Sequence, residues 1–203
     1  MENLQQHWDN IFEKTEDKKL GWYEENFTQS TKFLDLNEIK NKIVFVCGAG
    51  TSQLIDELID SGQLILNDIS KIALQKLENR YSNQNNIKYF HHNLAVNFPM
   101  NFEKIDIWID RAVLHFLINE DDIKNYFSNL NENLKVGGYA FFAQFRIDGA
   151  TSCASLPIKQ YSKELLKEYL GENFVLEKEE NFTFINPFGS ARPYIYALFK
   201  KIK

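Results

Sequence analysis

A chain of 203 residues with 44% hydrophobic and 14% aromatic content is the size of one domain with a full core, which excludes a disordered chain. Its 23 basic and 28 acidic residues leave a formal charge of −5, interspersed with no basic block able to track phosphates, so a general nucleic-acid binder is excluded. Cys47 and Cys153 form neither a CxxC pair nor a Cys/His cluster, so no metal site is predicted, and no run approaches membrane-spanning length or the core of a secretion signal. The expectation is a soluble, cytoplasmic protein without a membrane or nucleic-acid partner.

The chain opens with Leu4, Trp8, Ile11 and Phe12 at helical spacing over residues 3–17, then a short turn and the aromatic pair Trp22-Tyr23. Residues 28–36 read as a second helix, capped by Thr28 or Ser30. Residues 1–41 therefore form a predicted helical flap before the alternating core of residues 42–203, the whole being one domain. Strands are predicted at 43–47, 63–68, 86–92, 105–110 and 139–145. Helices are predicted between them at 53–61, 70–81 and 123–134, the last stopped by Lys135-Val136-Gly137-Gly138. A polar loop from Arg146 to Ile158 leads to a helix at 162–170, and two β-like runs, 174–184 and 193–200, close the chain as an antiparallel pair. Strand alternating with helix predicts an α/β, Rossmann-like doubly wound sheet, mostly parallel, with helices on both faces.

Ligands of such sheets collect at the carboxyl ends of the strands. The first strand ends in Val46-Cys47-Gly48-Ala49-Gly50-Thr51-Ser52, a turn without bulk that lets the backbone approach a nucleotide-like cofactor and aims the next helix at it. A dinucleotide fingerprint needs a third glycine where Gln53 stands, which disfavours a nicotinamide oxidoreductase. Asp68 ends the second strand, where a carboxylate can accept hydrogen bonds from both hydroxyls of a ribose. Asn93 follows the third strand, where an amide can meet an adenine edge, and Asp110 ends the fourth.

This ordered set resembles the class I S-adenosylmethionine-dependent methyltransferases along nearly the whole chain. The resemblance implies S-adenosyl-L-methionine as cofactor, with Gly48, Ala49, Gly50, Thr51 and Ser52 around its methionine part. Asp68 would hold the ribose, with Ile69 and Asn93-Leu94 at the adenine and Asp110 and Arg111 at the fourth strand end. Two departures stand out: Val46 occupies a position usually acidic, and Ser52 replaces a third loop glycine. Asp110-Arg111-Ala112-Val113-Leu114-His115-Phe116-Leu117, with Trp8 and Trp22 upstream, is similar to segments of thiopurine- and tellurite-type methyltransferases, of methyltransferases that modify a lysine of a non-histone protein, and of an uncharacterised bacterial group.

Methyl transfer needs donor and nucleophile held in line, and a base if the nucleophile is protonated. His115, with Asp110 nearby, is the candidate catalytic residue. Trp8 and Trp22 can present aromatic faces to a sulfonium. Arginines are scarce in this lysine-rich chain. Arg146 and Arg192 with Tyr161 are therefore candidates for an anion-binding substrate pocket. The expected activity is methylation of a small, anionic metabolite. A protein lysine methyltransferase, favoured by an open acidic groove, and a catalytically weak cofactor-binding protein, suggested by Val46, are the alternatives.

Overall fold

The computed structural model describes residues 3–36 and 38–203. Helix α1 (Leu4–Lys14) and the single turn α2 (Thr28–Thr31) precede the sheet. The second helix is shorter than predicted: Thr31 Oγ1 donates to the Thr28 carbonyl, a local bond that favours a turn over a longer helix. The alternating core runs β1 (Ile43–Cys47), α3 (Leu54–Leu58), β2 (Gln63–Asp68), α4 (Lys71–Arg80), β3 (Ile87–His91) and β4 (Ile105–Arg111). It continues with α5 (Glu120–Asn133) and β5 (Leu134–Phe145). α5 stops before Lys135–Gly138 as expected, but those residues already belong to β5, which joins the sheet directly after α5 across a register break opposite Ile105 and Ile107. The polar loop contains the small ladder β6 (Ser152–Cys153) and β7 (Leu156–Pro157). α6 (Lys163–Leu170), β8 (Phe174–Ile185) and β9 (Ala191–Lys201) complete the chain.

The seven-stranded sheet has the order β3-β2-β1-β4-β5-β9-β8. Its first five strands are parallel, and β9 is antiparallel to both β5 and β8. The order reverses beside β1, so the crevice past its carboxyl end is the topological switch point where open α/β sheets bind ligands. Period-two alternation splits the core. Val44 and Val46 face a layer with Leu54, Ile55 and Leu58 of α3, whereas Phe45 and Cys47 face Ile123, Tyr126 and Leu130 of α5. Among the described residues, no helix is long and apolar enough to cross a membrane.

Candidate active site

A cleft of about 1230 Å³, its open mouth included, lies over the carboxyl ends of β1, β2 and β4 and beneath the N-terminal flap. Its floor is the turn after β1. Gly48 and Gly50 adopt left-handed backbone (φ +48° and +53°). A Cβ on Gly48 would lie 2.4 Å from Val113 Cγ2, and one on Gly50 would lie 3.2 Å from the Phe12 ring. Neither position has room for a side chain, and the turn offers backbone in place of bulk.

Asp68 is locked to this floor. The Gly50 N–H donates to its Oδ2 and the Ser70 N–H to its Oδ1, both at 2.8 Å. Burial raises its pKa to about 6 against these bonds, which leaves a carboxylate at neutral pH. The flap supports the same corner. Asp9 accepts from Ser70 Oγ at 2.6 Å and from the Ile72 N–H, adding a second cap to α4, whose own cap is Ser70. Asp17 accepts from Thr51 Oγ1 at 2.8 Å and pairs with Arg80 at 2.9 Å, and Arg80 also donates to the Thr51 carbonyl. Asp9, Asp17 and Arg80 carried no sequence signal, because they lie in ordinary polar stretches and find their partners only through the fold.

The aromatic candidates converge as expected. Trp8 meets Trp22 edge-on at 5.6 Å and Phe116 at 4.9 Å, and all three line the cleft. Ile69, Asn93 and Leu94 line its β2–β3 end. Asn93 Oδ1 accepts from the Ala95 N–H at 3.0 Å, so its amide nitrogen is the part left to meet a ligand.

Four candidates require correction. Asp110 does not line the cleft. Its buried carboxylate accepts from Tyr126 Oη (2.6 Å), Gln144 Nε2 (2.7 Å) and the Val113 and Leu114 N–H groups, and so anchors the turn after β4. Burial raises its pKa to about 6. Arg146, Tyr161 and Arg192 form no anion pocket in the cleft. Arg146 is paired with Asp148, Tyr161 is fully buried in the layer facing α5, and Arg192 lies 5.9 Å over the Phe145 ring. The backbones of Arg146 and Tyr161 do pair, but their side chains leave the cleft.

Arg111 and His115 do reach it. Arg111 pairs with Glu24 of the flap at 2.7 Å, donates to the Trp22 carbonyl at 3.2 Å and lies 5.4 Å over the Phe184 ring. Glu24 and Cys153 are lining residues that sequence reasoning missed; only the acidic pair after Tyr23 marked the former. His115 is fully buried between Phe116 and Phe145, with Nδ1 3.0 Å from Gln144 Oε1. Burial, more than its other neighbours, lowers its pKa to about 3, so the ring is neutral. Val46, at the usually acidic position, is an apolar part of the cleft wall.

Residues 44–138, which span the floor turn, Asp68 and the β4 turn, match the model of the methyltransferase domain family. No curated protein matches the sequence significantly. Solved structures match its fold at low identity. The N-methyltransferase NodS from Bradyrhizobium japonicum, crystallised with S-adenosylhomocysteine, is 14% identical, with a TM-score of 0.74 and full coverage of both chains. An S-adenosylmethionine-dependent methyltransferase from Anabaena variabilis is 14% identical, with a TM-score of 0.75 over 97% of this chain and 93% of that one. A 1,6-didemethyltoxoflavin N1-methyltransferase from Burkholderia thailandensis, bound to its substrate and S-adenosylhomocysteine, is 14% identical, with a TM-score of 0.70 over 87% of this chain and 78% of that one.

Proposed function

We propose that this chain transfers the methyl group of S-adenosylmethionine to a small molecule held at the β4 end of the cleft. The observation that carries the reading is the corner of Gly48, Gly50 and Asp68. Two glycines that tolerate no side chain and a carboxylate pinned by backbone N–H groups meet at the switch point of the sheet. That geometry fits an adenosine-bearing ligand without phosphate: Asp68 offers acceptors to a ribose, and the carboxylate would repel a phosphate. The cofactor brings a methyl already activated by a sulfonium charge. The chain's part is to orient, to exclude water and to present aromatic faces, for which Trp8, Trp22 and Phe116 are placed.

Arg111 is the cation at the β4 end, and Glu24 cancels it. A neutral acceptor substrate therefore suits this end better than the anion expected from Arg146 and Arg192. The flap covers the cleft, which favours a small molecule over a lysine side chain of a protein. Calorimetry with S-adenosylmethionine and S-adenosylhomocysteine tests the reading: micromolar binding is expected, and absence of binding to both at millimolar concentration would sink it.

A further inference from the structure

Most buried polar atoms around the cleft have partners, but among its lining residues two acceptors, Glu24 Oε2 and His115 Nε2, and two donors, Arg111 Nε and Nη2, have no hydrogen-bond partner. Glu24 gives one carboxylate oxygen to Arg111, while its Oε2 is buried without a hydrogen-bond partner although the residue is only 9% exposed. His115 Nε2 is likewise buried and unpartnered. Both side chains line the same cleft, and both feel the charge of Arg111, which lies between the flap and the β4 turn. A buried acceptor without a partner has lost its hydration with nothing in return, so two in one wall are costly unless a ligand supplies the missing donors.

The state of His115 follows from its neighbours. Gln144 Nε2 donates to the Asp110 carboxylate, which turns the other end of the amide, Oε1, toward His115. An amide oxygen only accepts, so His115 Nδ1 carries the hydrogen and Nε2 carries a lone pair. Asp110, Gln144 and His115 thus form a relay of fixed polarity that ends in an acceptor. Gln144 is a positioning residue, since it reaches the cleft only through His115.

We infer that Glu24 Oε2 and His115 Nε2 form the acceptor pair of a substrate subsite that takes a neutral, flat molecule through two N–H donors. Two acceptors call for two hydrogens, more than one hydroxyl provides. Glu24 and Arg111 cancel in charge, which removes the reason for a cation or an anion to bind. Trp22 and Phe116 supply apolar faces for a flat ring. The inference rests on the methyltransferase reading for its choice of substrate over cofactor.

A matched pair of probes tests it. 2-Aminobenzoxazole and 2-methylbenzoxazole have nearly the same shape, but only the first offers two N–H donors. With the full chain saturated with S-adenosylhomocysteine, calorimetry should show the amine binding about tenfold more tightly, the value of roughly one well-made hydrogen bond to an otherwise orphaned site. The preference should disappear in His115→Phe, which keeps the ring volume. If that variant does not fold, the wild-type pair decides, together with a long-range ¹H–¹⁵N spectrum that should show His115 protonated on Nδ1. Equal binding of the two probes, binding of neither, or an Nε2-protonated ring overturns the inference. Failure of S-adenosylhomocysteine to bind in the first step counts against the methyltransferase reading instead.

Discussion

The two ends of the cleft are built on opposite principles. At the β2 end the polar groups around the glycine turn are tied down: Asp68 by two backbone N–H groups, Thr51 by Asp17 and Arg80, and Ser70 by Asp9. At the β4 end Glu24 and His115 each keep a buried atom without a partner. A satisfied corner can hold one ligand in one pose with little reorganisation, which suits a cofactor used in every turnover. An unsatisfied corner stores a cost that only a complementary ligand removes, which is how a polar site rejects the wrong molecule. The difference places discrimination at the β4 end and fixed binding at the β2 end.

The largest expected effect is at the unsatisfied end. Glu24→Ala leaves Arg111 buried with no counter-charge, and breaking a buried pair costs about 3–5 kcal/mol. Chemical denaturation should show this loss. A change below about 1 kcal/mol would mean that Arg111 is hydrated in the folded chain and that the polar cluster is looser than described. Gly48→Ala comes next, at the satisfied end. Left-handed backbone costs a side chain about 1–2 kcal/mol, and the 2.4 Å approach to Val113 adds roughly 1–3 kcal/mol of overpacking. S-adenosylhomocysteine affinity should fall by at least about tenfold. Gly50→Ala, which meets the Phe12 ring at 3.2 Å, should cost less. Equal penalties at the two glycines would mean that the approach to Val113 adds nothing to the cost of the left-handed backbone.

Protonation separates Asp110 from His115 although one amide joins them. Burial raises Asp110 from 3.8 to about 6, so the folded chain takes up a proton there as pH falls through 6, and this group's contribution to stability grows on acidification down to about pH 4. Burial lowers His115 from 6.5 to about 3. The unfolded chain binds that proton first, so His115's contribution is fully present above pH 6.5 and is lost as pH falls toward 3. Asp68, also raised to about 6, acts in the same direction as Asp110. His115→Phe removes the acid-labile contribution. The variant should lose less stability than the wild type between pH 7 and pH 5, or gain some. A wild-type-like slope in denaturation midpoints would show that His115 titrates in the folded chain and is not the fixed acceptor proposed.

The fold was legible because its strands alternate and end abruptly. β1 and β2 fall on the predicted residues, since Lys42 and Gly48 bound one and Gly62 and Ile69 the other. The corner of Gly48, Gly50 and Asp68 was legible for the same reason, as its groups sit at strand ends fixed by local pattern. The β4 end of the cleft was not. Arg146, Tyr161 and Arg192 are close along the backbone ladder, but side-chain direction sends them to Asp148, to the core and onto Phe145. Glu24 reaches Arg111 across the flap, a contact that no spacing encodes. Asp110 looked like a ligand-facing acid and is a turn anchor, because the N–H groups of Val113 and Leu114 fold back onto it.

The smallest expected effect concerns the latch between flap and floor. Asp17 is about one-third exposed and its partner Arg80 is similar, so their ion pair contributes roughly 0.2–1 kcal/mol to stability. Asp17→Ala should therefore leave the denaturation midpoint almost unchanged. It also removes the acceptor of Thr51 Oγ1, a side-chain bond that ties the glycine turn to the flap. Tethering contributes through effective concentration and not through contact energy, so a weak bond can still set how often the cleft opens. Backbone amides of α1 should then exchange several-fold faster while those of β1 keep their protection, and S-adenosylhomocysteine should dissociate faster with little change in its association rate. If α1 and β1 lose protection together, the flap is part of the core rather than a cover, and both ends of the cleft belong to one cooperative unit.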